Sequence, residues 1–392
     1  MKRVIGLWHY ATIYTEKKGG VDLKRKFFFS VWLVFLLLLA AACNTDKGKS
    51  GTKTDDNTKQ DENATSGDNA TINNEASGKL VIYTGRDESV VEKVVGMFNE
   101  QYPDVQVEHL TMGAQQILER VRGEKANPQA DFWWGGTQSA MMVAANEDLL
   151  LPFKPSFDNA VADAYKDPEG RWYGEMLLPE VIMINSDVLT KETGPQDWDD
   201  LLKPEWEDKI VIRGVLASGT MRTIYSSMIY RQGADDPAKG YEWLKGLDKN
   251  TKEYAQDPTN LYLKLVRQEG TVSLWNLQDI LLQSKLNNQP FDYIYPKSGA
   301  PILVDAVGIV NNAKNEANAK LFYEFLFDPE VRAELAEELY QIPTRSDIAK
   351  EDMPDWFQEL DLKALDIDWE VMADKEAEWM EHWDSNIKGK GK

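Results

Sequence analysis

Ser218-Gly219-Thr220 opens SGTMRTIYSSMIYRQG, a segment whose spacing predicts a helix carrying Tyr225 and Tyr230. Two hydroxyls, unbonded first-turn N–H groups and the positive end of a helix dipole would converge there, which suits an anion. The same residues also suit a plain helix cap, and Tyr225 either reaches a ligand or packs. Two other loops carry related chemistry. Thr84-Gly85-Arg86 ends an apolar run with a guanidinium, a planar fork for phosphate or carboxylate or else a solvated loop charge. ADFWWGGT closes on Gly135-Gly136-Thr137, small residues whose backbone N–H groups can approach a ligand or simply turn the chain. Trp134 stands next to that turn. Trp275-Asn276 ends a further apolar run, able to stack on a solute or hydrogen-bond to it. Asp305 could contact an amine or hydroxyl, or end a turn.

Covalent catalysis lacks its parts. There is no G-x-S-x-G, and of three histidines (His9, His109, His382) none is placed to activate Ser218. An extracellular hydrolase is therefore the remote alternative, and no catalytic residue is assigned. The formal charge of −21 argues against nucleic acid as a partner, since phosphate backbones call for clustered Lys and Arg.

The elements that must hold these loops alternate. KLVIYTG is a strand, and DESVVEKVVGMFNEQYP a helix with Val90, Val91, Val94, Val95 and Phe98 on one face. VQVEHL, AQQILERVRG, ADFWWGG and TQSAMMVAAN continue the strand-helix pattern, which predicts a doubly wound sheet with ligands at the carboxyl ends of its strands. GRWYGEMLLPEVIMINSDVL gives strands that cross between lobes. DKIVIRG is another strand, Val272 to Trp275 another, and the acidic end DIDWEVMADKEAEWMEHWDSN a helix with Trp379 and Trp383 one turn apart.

Ahead of these lies a leader. Leu23 to Lys26 is basic, Phe27 to Leu39 is apolar except for Ser30, and Ala40-Ala41-Ala42 precede Cys43, the only cysteine. The layout resembles a bacterial lipoprotein signal, although Ala40 departs from the usual Leu. It implies a lipid on Cys43, anchoring the chain on the outer face of the cytoplasmic membrane of a Gram-positive cell. Residues 1–22 fit poorly before such a signal, and translation starting at Leu23 would account for them. Residues 43–78 contain almost nothing apolar and are expected to form a flexible tether.

LVIYTG, VEKVVGMFNEQYPDVQVE, ADFWWGG, SGT, VDAVGIVNNAKNEANAKLFYEFLFDPE and YQIPTR, in that order, resemble the extracellular solute-binding proteins of ABC importers. The branch is the one holding ferric-iron, phosphonate and sugar-phosphate receptors. The resemblance implies a two-lobed α/β fold of the periplasmic-binding-protein type (type II). Each lobe would be a mostly parallel sheet flanked by helices, joined by hinge strands, with closure on a ligand and delivery to a membrane permease. The expected division is 79–178 with 297–345 in lobe 1, and 179–296 with 346–392 in lobe 2. The expected site is Thr84, Gly85, Arg86, Trp134, Gly135, Gly136, Thr137, Ser218, Gly219, Thr220, Tyr225, Trp275, Asn276 and Asp305. A monomer binding a small phosphonate or phosphorylated anion, without cofactor or metal, is the reading. Ferric receptors commonly use adjacent tyrosines, and here Tyr225 and Tyr230 are separated, so ferric iron is the alternative.

Overall fold

The computed structural model describes residues 76–391, Ala234 excepted, and of Lys350 only the backbone. The leader, Cys43 and nearly all of the expected tether lie outside the described residues. β1 (Gly78–Thr84), β2 (Val105–Thr111) and β3 (Phe132–Thr137) run parallel, each followed by a helix: α1 (Glu88–Gln101), α2 (Ala114–Gly123) and α3 (Gln138–Asn146). α1 buries Val90, Val91, Val94 and Phe98, while Val95 at the edge of that face stays partly exposed.

The key strand is β4 (Tyr173–Asn185). Tyr173 to Pro179 pairs with β9 (Ile302–Ile309), and Glu180 to Ile184 pairs with β7 (Val272–Asn276), both antiparallel. One strand thus belongs to two sheets, and the change of partner falls at Pro179-Glu180. β9 then pairs with β3, while β5 (Ile210–Arg213) lies parallel to both β7 and β6 (Thr251–Ala255). The order is β2-β1-β3-β9-β4-β7-β5-β6, with β8 (Phe291–Ile294) and β10 (Ile342–Pro343) joined to β4 off this path. The outer strands are parallel, as strand-helix alternation requires. The central ones are antiparallel because β4 leaves the first lobe and β9 returns to it beside β4. MLLPEVIMIN is buried almost throughout, since β4 runs through the middle of the fold with layers on both faces.

α4 (Gly219–Gly233), α5 (Ala238–Asn250), α6 (Pro258–Val266) and α7 (Leu277–Leu281) clothe the second lobe. α8 (Glu316–Leu326) and α9 (Pro329–Leu339) clothe the first. After α10 (Asp355–Gln358), α11 (Trp369–Asn386) returns Trp379 and Trp383 to the core of the second lobe, both fully buried. α4 carries α5 and α11 against it, so residues around most of its circumference are buried: Met221 to Ile229 without a break. Tyr225 belongs to that packing. It is 1% exposed, and its ring meets Trp383 edge-on at 5.3 Å.

Candidate functional site

A cavity of about 260 Å³ lies where the two lobes meet at the carboxyl ends of the strands. That volume suits a small solute. Six helices begin on its wall. Asp87, Gly113, Thr137 and Asn276 precede α1, α2, α3 and α7, while Gly219-Thr220 and Pro258-Thr259 open α4 and α6. First-turn N–H groups have no helical carbonyl to bond, so the wall presents partial positive charge from both sides. Gly135 has φ of +93°, a conformation natural to glycine, and its carbonyl packs against Gly85. The two loops thereby support one another at the same edge of the cavity.

Of the expected site residues, Gly85, Arg86, Gly135, Thr137, Gly219, Thr220, Trp275, Asn276 and Asp305 all line this cavity. Thr84, Trp134, Gly136, Ser218 and Tyr225 do not, and each has a physical reason. The Thr84 hydroxyl accepts a hydrogen bond from the Arg86 N–H. Trp134 is fully buried and donates its indole N–H to Glu175 Oε2 at 2.7 Å. A Cβ on Gly136 would stand 2.5 Å from Met141 Cε, so this glycine serves packing. Tyr225 is core, and burial holds its hydroxyl above the ordinary phenol range. Ser218 is wholly buried, and its hydroxyl accepts from the Met221 N–H at 3.2 Å. The Ser218 side chain is a cap. Ser218→Ala is therefore expected to cost about 1 kcal/mol of stability, read as a lower urea midpoint, and to leave solute affinity unchanged.

Arg86 lines the cavity but is not a free fork. Its Nη1 and Nη2 meet both oxygens of Asp305 at 2.7 and 3.1 Å, and Nη2 also meets Glu175 Oε2 at 2.8 Å. Burial works against the guanidinium, yet the two carboxylates outweigh it and tighten its hold on its proton. Glu175 reaches onward from Oε1 to Arg332 Nη1 at 2.8 Å, and Arg332 is 1% exposed. Burial would raise the Glu175 carboxyl, but Arg332 and Arg86 hold it below its usual value. Burial, despite Arg86, pushes Asp305 up to about 6. The cluster is a rigid floor of paired charges.

The second guanidinium on the cavity wall is Arg213, at the end of β5. It lines the cavity, lies over the Trp275 ring at 5.6 Å and forms no ion pair among the described residues; its Nε is buried without a partner. Burial lowers its pKa against the opposing pull of Tyr262, Asp279 and Asp87. DKIVIRG could have revealed it, because Arg213 ends a strand just before a glycine, as does the loop after β1. Beneath the cavity Glu180, at the partner change of β4, has both oxygens buried without a hydrogen bond. Burial, then Asp279 and Asp305, pushes its carboxyl well above the ordinary range and favours the protonated acid.

The remaining candidates sit elsewhere. His109 bonds Glu88 near the surface, and His382 stacks on Tyr241. Tyr230 packs at the border of the second lobe's core. Among the described residues no cluster of three or more His, Cys, Asp or Glu could hold a metal ion, and no helix is long and apolar enough to cross a membrane.

Residues 128–372 match the family described as bacterial extracellular solute-binding protein. The chain belongs to that family. This solute-binding protein is 24% identical over 286 residues to a probable ABC transporter periplasmic-binding protein, y4fP, of Sinorhizobium fredii; the match spans 72% of this chain and 80% of that one. It is 25% identical over 255 residues to a putative 2-aminoethylphosphonate-binding periplasmic protein of Salmonella typhimurium, spanning 63% and 72%. Among solved structures it resembles the periplasmic binding protein AfuA from Actinobacillus pleuropneumoniae with fructose-6-phosphate bound. There the identity is 25% and the TM-score 0.70, over 80% of this chain and all of that one. A ferric binding protein from Campylobacter jejuni, at 21% identity and a TM-score of 0.67 over 78% and 98%, shows the shared fold. The protein is a solute-binding component of an ABC transporter, of the extracellular or periplasmic class.

Proposed function

We propose that the cleft captures a small phosphonate or phosphorylated organic anion and hands it to the permease. The observation that carries this is Arg213, a cleft guanidinium with no ion pair, beside six helix starts. Arg86 is occupied by Asp305 and Glu175, so a bound oxyanion would draw on Arg213, Thr220 and first-turn N–H groups. Contacts from both lobes would favour the closed form, and the solute would shift the balance between open and closed. The fructose-6-phosphate of AfuA and the named ligand of the Salmonella relative are of this chemical class. Ferric iron is the weaker reading, because Tyr225 is walled into the core and, among the described residues, no histidine lines the cleft. A lipid on Cys43 would hold the receptor as a monomer at the outer membrane face, beside the permease.

The test is calorimetry with a panel of phosphonates, sugar phosphates, carboxylates and ferric citrate. Arg213→Gln should weaken the best phosphorylated or phosphonate binder by roughly 10- to 100-fold, since a lost charge-assisted hydrogen bond is worth about 1.5–3 kcal/mol. Equal affinity in that variant, or binding of ferric complexes alone, would sink the reading.

A further inference from the structure

Two carboxylates face one cavity from the two lobes, and nothing described in the protein balances both. Asp87, ahead of α1 in the first lobe, forms no side-chain cap bond and lines the cavity. Asp279, on α7 in the second lobe, also lines it. Its Oδ2 accepts from the Trp275 indole and the Asn276 amide at 3.0 and 2.8 Å, while no bond reaches Oδ1. Burial, followed by the charge of Asp279, pushes Asp87 up to about 6, and burial raises Asp279 as well. The Tyr262 hydroxyl, buried and without a hydrogen-bond partner, lies close enough to both carboxylates to feel their charge. Arg213 and Arg86 are the neighbouring cations, and Arg86 already pairs with Asp305 and Glu175. What is left cannot neutralise two carboxylates and an incoming oxyanion together. Bringing like charges together in a desolvated space opposes closure unless a cation arrives with the solute.

We infer that the solute carries an amine at the end remote from its acid group, and that this ammonium sits between Asp87 and Asp279. An ammonium has three N–H donors, and the acceptors that line the cavity here are the Asp87 carboxylate and Asp279 Oδ1. The ligand is then a zwitterion, with its anionic end taken by Arg213 and the helix starts. This inference rests on the anion reading above, which it narrows.

Two matched pairs of probes separate them: 2-aminoethylphosphonate against propylphosphonate, and glucosamine 6-phosphate against glucose 6-phosphate. In at least one pair the amine should bind ten times tighter or more to the full chain. Asp87→Asn and Asp279→Asn should bring that ratio towards one, the amine losing affinity and the amine-free partner gaining some as the like-charge repulsion is relieved, and both substitutions keep side-chain volume. Equal binding within each pair would overturn the amine while leaving the anion reading in place. No binding by any of the four would overturn both. An unchanged ratio in the Asn variants, with unaltered melting temperature, would overturn the placement.

Discussion

Glu175→Ala should lower the unfolding free energy by about 3–5 kcal/mol, the usual consequence of leaving a buried charge without its partner. Glu175 is the carboxylate between two guanidiniums. Arg86 would keep Asp305, but Arg332, which forms its ion pair with Glu175, would retain only the amide of Gln341 at 3.1 Å. Arg332 Nε and Nη2 already lack partners. Removing the acid therefore strands a cation in a space that water does not reach. A denaturant midpoint measures the loss. Replacing both partners, as in Glu175→Gln with Arg332→Met, should recover most of it, because the stranded charge leaves together with its partner. A fall of less than about 1 kcal/mol for Glu175→Ala would mean that the cluster is not held as described. The pH dependence has a definite sign. Glu175 has its carboxyl held below the ordinary value, so its contribution is present at neutral pH and disappears as pH falls through the carboxylate range. The Ala variant should lack that component of acid sensitivity.

Gly113→Ala should weaken solute binding by roughly tenfold or more, equivalent to about 1.4 kcal/mol, without lowering the stability of the unliganded protein. A Cβ on Gly113 would stand 2.1 Å from the Ala217 carbonyl oxygen, across the cleft. The backbone at Gly113 has φ −63° and ψ 148°, which any residue adopts, so the added methyl offends nothing within its own lobe. The collision arises where the two lobes meet, so parting them should relieve it. Gly219 makes the reciprocal approach: a Cβ there would stand 2.5 Å from Thr137 Cγ2. Small-angle scattering should then show wild-type protein compacting on solute and the Gly113→Ala variant remaining extended. Unchanged affinity and compaction in the variant would show that closure does not bring these two segments together.

Much of the fold can be read from residue order. Short apolar runs ended by glycine or by a polar loop mark β1, β3 and β7, and the valine spacing marks α1. The strand ends are legible for the same reason: Gly135 and Thr137 close β3, Gly85, Gly219 and Thr220 follow strands, and in an alternating sheet such ends share an edge. What stays hidden depends on distant partners. Nothing near Arg86 in sequence announces Asp305 or Glu175, which arrive on β9 and β4 and turn an apparent ligand fork into a structural pair. Tyr225 looks available because α4 has little amphipathic pattern. Small polar residues such as Ser226 and Ser227 are buried on it alongside Met228 and Ile229, since α5 and α11 cover what would otherwise be a wet face. Asp279 stands in the first turn of α7, and nothing near it in sequence announces that Asp87 lines the same cavity.

The placement of α11 bears on the order in which the molecule can assemble. Trp379, Met380, Trp383 and Ile387 complete a core that already includes Val181, Ile212 and Leu274, and Arg222 of α4 finds its carboxylate in Glu376. The first lobe likewise waits for β9, α8 and α9. A chain emerging from its amino end can therefore finish neither lobe early, and the second stays open until α11 is free. Its contacts span long stretches of sequence, the feature that slows folding. A polypeptide bound for the far side of a membrane gains from that delay, because a chain still lacking α11 has not yet locked into a shape that must be undone before passage.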